Sequence, residues 1–199
     1  MFPLNLPNVL TLLRILLVPV VVVALLDATP SGSFLAAGVF ALAAVTDGVD
    51  GYLARSRQSI TNFGKVMDPI ADKLLIAAAL IALVGLDRLA GWVAMVIIAR
   101  EFAVSGLRVA AGQQGVVIPA SPFGKVKTIV QVGAVFALIA VDDTGMWWVQ
   151  ALVYLMVAVT AVSGADYFLN FRRRIEEARE KMVRDAANVV ARQRGTETP

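Results

Sequence analysis

Residues 47–72 read Asp47-Gly48-Val49-Asp50-Gly51-Tyr52-Leu53-Ala54-Arg55, then eight residues, then Gly64-Lys65-Val66-Met67-Asp68-Pro69-Ile70-Ala71-Asp72. Long apolar runs flank this stretch, so its acids sit where a membrane helix is expected. An aspartate at the centre of a span costs about 2.5–3.5 kcal/mol on insertion scales. Here there are four. Asp47 and Asp50 are i,i+3, and Asp68 and Asp72 are i,i+4, so each pair shares one face of a helix. Four facing carboxylates repel strongly unless cations lie between them. An all-oxygen donor set suits Mg²⁺ or Mn²⁺, and four carboxylates suit two ions. Gly48 and Gly51 allow close approach to the backbone. Arg55, one turn beyond Gly51, is placed to grip phosphate. Parts of the stretch also have plainer readings. Asp68 before Pro69 fits a helix N-cap with proline at N1. Arg55, Arg57 and Lys65 fit ordinary loop charges.

Working outward, six apolar stretches approach the roughly 20 residues that a spanning helix needs. They run over about 8–26, 34–53, 69–86, 89–109, 126–141 and 146–169. The connections at 27–33, 87–88 and 142–145 are short. Those at 54–68 and 110–125 are longer and more polar. The first stretch lacks a basic n-region and an A-x-A-like site and contains Pro19, so it reads as a span rather than a cleaved signal peptide. The fold class is therefore all-α integral membrane, with six transmembrane helices. The acidic pairs lie at facing ends of the second and third helices.

Six spans put both termini on the side of the two longer connections. Arg14, Arg55, Arg57, Lys65, Lys73, Arg108, Lys125, Lys127 and eight basic residues from Arg172 to Arg194 lie on that side or at its boundary. Arg88 alone lies opposite, with Asp27, Asp87, Asp142 and Asp143. The positive-inside rule makes the basic side, with both termini, cytoplasmic. Residues 1–170 read as the membrane-embedded domain. Residues 171–199 read as a charged cytoplasmic tail, helical or partly disordered and fraying near Gly195, with pairs such as Glu177–Lys181 at helical spacing.

Composition agrees and excludes several chemistries. Of 199 residues, 58% are hydrophobic and 17% charged, against about 25% charged in soluble domains. The net charge of +3 reads as anchoring to anionic headgroups rather than as a nucleic-acid footprint. The chain has no Cys and no His. Disulfides, thiolate nucleophiles, Ser-His-Asp triads and His- or Cys-ligated metals are thereby excluded. Acid–base chemistry falls to Asp, Glu, Lys or Tyr.

The quoted stretch, with all eight defining positions at the expected spacing, resembles the signature of the CDP-alcohol phosphatidyltransferases. Three further segments are similar to one bacterial subfamily, the phosphatidylglycerophosphate synthases: Asn8-Val-Leu-Thr11-Leu-Leu-Arg14, Ile98-Ala-Arg100-Glu101-Phe102-Ala-Val-Ser105-Gly106-Leu107-Arg108, and Gly124-Lys125-Val-Lys127-Thr128. The resemblance covers roughly residues 1–170 and implies a six-helix fold, usually homodimeric, with a polar cavity open to the cytoplasm. It implies one metal on Asp47, Asp50 and Asp68, a second on Asp47, Asp68 and Asp72, and Asp72 as general base. It carries CDP-lipid contacts onto Asn8, Thr11, Gly51, Ala54, Arg55 and Thr61. The implied reaction passes a phosphatidyl group from CDP-diacylglycerol to glycerol 3-phosphate, giving phosphatidylglycerophosphate and CMP. The implied setting is the bacterial inner membrane, among membrane lipids and without nucleic acid.

An acceptor phosphate needs cations that the diphosphate does not use. Arg108, Lys125 and Lys127 lie near the same cytoplasmic mouth, and Arg100 lies deeper, beside Glu101. Arg100 reads equally as half of a structural ion pair. Arg108 and the lysines also read as topology signals. Asp166 reads as an interfacial residue or a helix-end ion partner. Trp92, Trp147, Trp148, Tyr154 and Tyr167 read as belt aromatics. Three rival readings are a sister enzyme with another acceptor (inositol phosphate, serine or phosphatidylglycerol), a membrane prenyltransferase and a small ion-coupled transporter. The last has no evident use for Arg55 and the glycines, and no repeated pair of broken helices is visible.

Overall fold

The computed structural model describes residues 6–27, 30–56, 62–113, 116 and 122–195. Within these ranges the helical backbone alone is described at 6–8, 30–32, 47–56, 62–69, 72, 122, 182–183 and 185–195. Among the described residues six helices follow one another: α1 (Leu6–Leu26), α2 (Pro30–Ser56), α3 (Asn62–Gly85), α4 (Gly91–Gln113), α5 (Pro122–Ala140) and α6 (Trp147–Gly195). Among the described residues there is no strand.

The all-helical order expected from hydropathy is what the structure shows, with longer helices than the apolar runs suggested. α2 continues to Ser56 and α3 begins at Asn62, so the polar connection expected at 54–68 contracts to 57–61. The connection at 110–125 likewise contracts to 114–121. Hydropathy locates the edge of the apolar layer, whereas a helix continues past it wherever its backbone can still bond. Asp68 and Pro69 therefore lie inside α3, several residues after its start, and the N-cap reading of Asp68 does not hold.

α1 shows how the chain is built for an apolar solvent. Thr11, Arg14, Val18, Val21 and Leu25, spaced by three and four, form its buried stripe. Leu16 and Val23 on the other side are each 67% exposed. Pro19 is also on the exposed side, inside the helix. A soluble protein would not leave such a face uncovered. α1 packs against both α2 and α3, α5 against α6 and α2, and α4 against α6. Small side chains permit the close approach: Ala36, Ala43 and Ala79 are fully buried. Among the described residues, α1 packs on both α2 and α3, and so does α5.

Among the described residues, three helices carry stretches long and apolar enough to cross a membrane: Val9–Leu26, Phe123–Ala140 and Trp147–Lys181. Shorter apolar stretches, Ser33–Thr46 in α2 and Lys73–Gly85 in α3, flank the acidic segment. α6 has 49 residues, about 73 Å at 1.5 Å per residue, well beyond a hydrocarbon core of about 30 Å. Its charged part is continuous helix, with Arg172 and Glu176 paired at 3.6 Å on the exposed surface.

The ends away from the acidic segment are tied together. Arg88 donates to the carbonyl of Ile139 at 3.2 Å and meets Asp142 at 3.5 Å, joining the α3–α4 and α5–α6 connections. The turn after α3 closes with Arg88 N–H donating to the Leu83 carbonyl and Asp87 N–H to the Val84 carbonyl. This is a Schellman cap, and Asp87 supplies its left-handed residue with φ of 55°. Glycine adopts that conformation without a Cβ penalty. Asp87→Gly is expected to be neutral or to stabilise by up to about 1 kcal/mol, and Asp87→Val to destabilise by about 1–2 kcal/mol. Thermal unfolding in detergent reads both, and equal melting temperatures for the two variants would contradict the cap.

Candidate functional site

The acidic residues sit at matched places on two consecutive helices. Asp50 lies six residues before the end of α2, and Asp68 six residues after the start of α3. Each is about 9 Å along its helix from the α2–α3 connection. Asp47 and Asp72 lie about one turn further along α2 and α3. The side chains of Asp47, Asp50, Asp68 and Asp72 are outside the described set, as are those of Asn8, Gly51, Ala54 and Arg55, and Thr61 is outside the described residues altogether. Thr11, on α1, is 2% exposed and belongs to the stripe that packs on α2 and α3. Arg14, one turn later on that stripe, is equally buried. Among the described residues no group of three or more Asp, Glu, His or Cys is gathered to hold a metal.

A second polar group lies where α4, α5 and α6 meet. Glu101 on α4 accepts from Lys127 on α5 and, at 3.3 Å, from Nη1 of its neighbour Arg100. Nη2 of Arg100 donates to Oγ of Ser163 on α6 at 3.1 Å. The side chains of Arg100 and Glu101 are each 15% exposed and that of Lys127 9%. Lys73, which follows Asp72 on α3, is near enough to Lys127 to act on it electrostatically. The cation group is thus adjacent to the helix that carries Asp68 and Asp72.

Of the four cations expected to bind an acceptor phosphate, the structure brings Arg100 and Lys127 together. Arg100 is an ion-pair partner of Glu101, as its structural reading expects, and shares that carboxylate with Lys127. Lys125 is exposed. Arg108 is exposed too, its guanidinium 5.9 Å from the centre of the Tyr167 ring, in cation–π range. Tyr167 is 5% exposed, so it is not a belt aromatic. Asp166 accepts from Asn170 at 3.1 Å through Oδ1. Tyr167 Oη, Asp166 Oδ2, Thr160 Oγ1 and Arg100 Nε are buried without hydrogen-bond partners among the described residues. Such atoms are costly in an apolar bundle.

Sequence reasoning finds Glu101 beside Arg100 but misses its pairing with Lys127, 26 residues on. An acid in mid-span demands a partner, which is the available signal. Ser163, Thr160 and Tyr167 carry no comparable signal, because hydroxyl side chains are unremarkable in a helix of this composition.

A family profile described as CDP-alcohol phosphatidyltransferase matches residues 4–162 of the chain. A Bacillus subtilis (strain 168) protein named CDP-diacylglycerol–glycerol-3-phosphate 3-phosphatidyltransferase is 41% identical over 180 residues, covering 82% of this chain and 93% of its own. A Rickettsia felis protein of the same name is 38% identical over 169 residues, with the same coverage of 82% and 93%. A Mycobacterium tuberculosis protein named probable phosphatidylglycerophosphate synthase is 42% identical over 181 residues, covering 88% of this chain and 86% of its own.

The Glu101–Lys127 contact is expected to behave as a coupled pair. A double-mutant cycle of Glu101→Gln and Lys127→Met should give a coupling energy of about 1–3 kcal/mol in detergent unfolding. Additive effects would contradict the pairing.

Proposed function

The chain belongs to the CDP-alcohol phosphatidyltransferase family, and from that premise we propose that it transfers the phosphatidyl group of CDP-diacylglycerol to sn-glycerol 3-phosphate, yielding phosphatidylglycerophosphate and CMP. The observation that carries the reading is similarity near 40% to relatives named for this activity, over more than four fifths of the chain. The cation group beside α3 supports the choice of a phosphorylated acceptor.

The donor set fits a divalent metal, because the quoted motif offers only carboxylate oxygens, on two helices at matched depth. Enzymes of this family generally depend on such ions. We assign one ion to Asp47, Asp50 and Asp68 and a second to Asp47, Asp68 and Asp72, with Mg²⁺ or Mn²⁺ as the species. When bound, the ions supply charge neutralisation for the diphosphate and for departing CMP.

The chain's own groups do the rest. Asp72 accepts the proton of the acceptor hydroxyl as its oxygen attacks the phosphorus that carries the diacylglycerol. The P–O bond to CMP breaks, and its electron pair leaves on the CMP phosphate. Asn8, Thr11, Gly51, Ala54, Arg55 and Thr61 hold the CDP moiety, with Gly51 and Ala54 small enough to let it approach the helix. Arg100, Arg108, Lys125 and Lys127 draw and orient the acceptor phosphate.

In this reading residues 1–170 form the membrane-embedded catalytic part, with both termini and the active site on the cytoplasmic face of the bacterial inner membrane. Residues 171–199 extend into the cytoplasm, and the protein works as a homodimer among membrane lipids. The basic residues at one set of helix ends support that orientation.

Purified protein with Mg²⁺ or Mn²⁺ is expected to release CMP only when both substrates are present, and to stop when the metal is chelated. In a panel of acceptors, glycerol 3-phosphate should be the best. CMP release with inositol phosphate, serine or phosphatidylglycerol instead would move the protein to a sister activity. Asp72→Asn should lower turnover by about 10²–10⁴-fold, the usual worth of a general base, while CDP-lipid binding persists. Normal turnover in that variant would refute the assignment of Asp72.

A further inference from the structure

We propose that Glu101 is a positioning residue for the acceptor phosphate: it fixes Arg100 and Lys127 in their binding geometry even though its own charge opposes the ligand. The proposal rests on the reading above, that a phosphorylated acceptor binds these cations. On charge alone, a carboxylate at a phosphate site is a defect. Its contacts give it a use. Arg100 and Lys127 come from different helices, carry long rotatable stems, and would repel each other at this separation in a medium of low dielectric. Oε1 of Glu101 accepts from both, and so draws them to one point.

The arrangement still leaves the site fit for an anion. Glu101 engages one Nη of Arg100 and Ser163 the other, while Nε has no partner among the described residues. Lys127 has further N–H groups beyond the one given to Glu101. Two cations flank one carboxylate among the described residues, and Lys73 is within electrostatic reach of Lys127.

α6 holds the arginine from the opposite side. A Cβ added at Gly164 would lie 3.2 Å from Cγ of Arg100. That contact is tighter than a packed side chain normally makes, and it strikes the stem rather than the mobile tip. Arg100 is therefore clamped between Glu101 and the backbone of α6, and Gly164 serves the same positioning without any charge of its own.

The test uses the full-length protein in detergent and compares Glu101→Gln, Glu101→Asp and Gly164→Ala. For Glu101→Gln, the KM for glycerol 3-phosphate should rise about tenfold or more, with kcat at saturating acceptor and the KM for CDP-diacylglycerol within about twofold of wild type. Glu101→Asp, which keeps the charge one methylene back, should fall between. Gly164→Ala should raise the acceptor KM about threefold or more with no change of charge. A fall in acceptor KM for Glu101→Gln would mean that charge alone governs the site, and would overturn the proposal. Equal rises in both KM values would mean a general structural role, and would overturn it too. If Glu101→Gln does not fold, Gly164→Ala decides, and an unmoved acceptor KM there overturns the proposal. Wild-type protein that makes no CMP from glycerol 3-phosphate overturns the parent reading as well. Wild-type turnover with unmoved variants overturns the role of Glu101 alone.

Discussion

A charge among apolar helices must find a partner or be expelled to the membrane edge, and this constraint orders most of what the molecule does. The chain has few charges for its length, and among the described residues three of those inside the bundle are grouped. Glu101 is shared by Arg100 and Lys127, so that α4 and α5 meet at one carboxylate, with α6 bound through Ser163. At the opposite end Arg88 ties two connections through Ile139 and Asp142. Apolar packing among membrane helices carries little specificity, since lipid tails are as good a neighbour as leucine. Ion pairs and close-packed alanines supply the register that apolar matching does not.

The same constraint explains what is legible in the sequence. Hydropathy reveals six helices, because an apolar stretch of that length has few other structures available to it. Helix ends are harder to place. α3 begins at Asn62 rather than near Pro69, since a proline inside a helix can look like its start. The long charged continuation of α6 is visible as i,i+4 pairs. The acidic motif is legible because four acids in apolar surroundings have no cheap explanation. The cation group is only half legible. Lys127 and Arg108 read as topology signals, and nothing in the spacing from Glu101 to Lys127 announces a contact between helices. Tyr167 misleads for a related reason, because its type suits a membrane interface and its burial is a tertiary fact.

Together the two polar groups divide the chemistry of the proposed reaction. Carboxylates on α2 and α3 suit the metal-bound diphosphate, and cations on α4 and α5 suit the acceptor phosphate. Both substrates are anionic and would otherwise repel each other in a confined site. Lys73 follows Asp72 on α3 and is within electrostatic reach of Lys127. The absence of His and Cys from the chain fits chemistry of this kind, in which carboxylates do the acid–base work.

In the proposed site the α2 and α3 aspartates form one two-ion centre in which Asp47 and Asp68 are shared. Titration of Mn²⁺ into purified protein with CDP-diacylglycerol, followed by electron paramagnetic resonance, tests it directly. A shared centre predicts two bound ions per chain, one retained in Asp50→Asn, and loss of both in Asp68→Asn. Wild-type protein that binds no Mn²⁺, or an Asp68→Asn variant that keeps both ions, would contradict it.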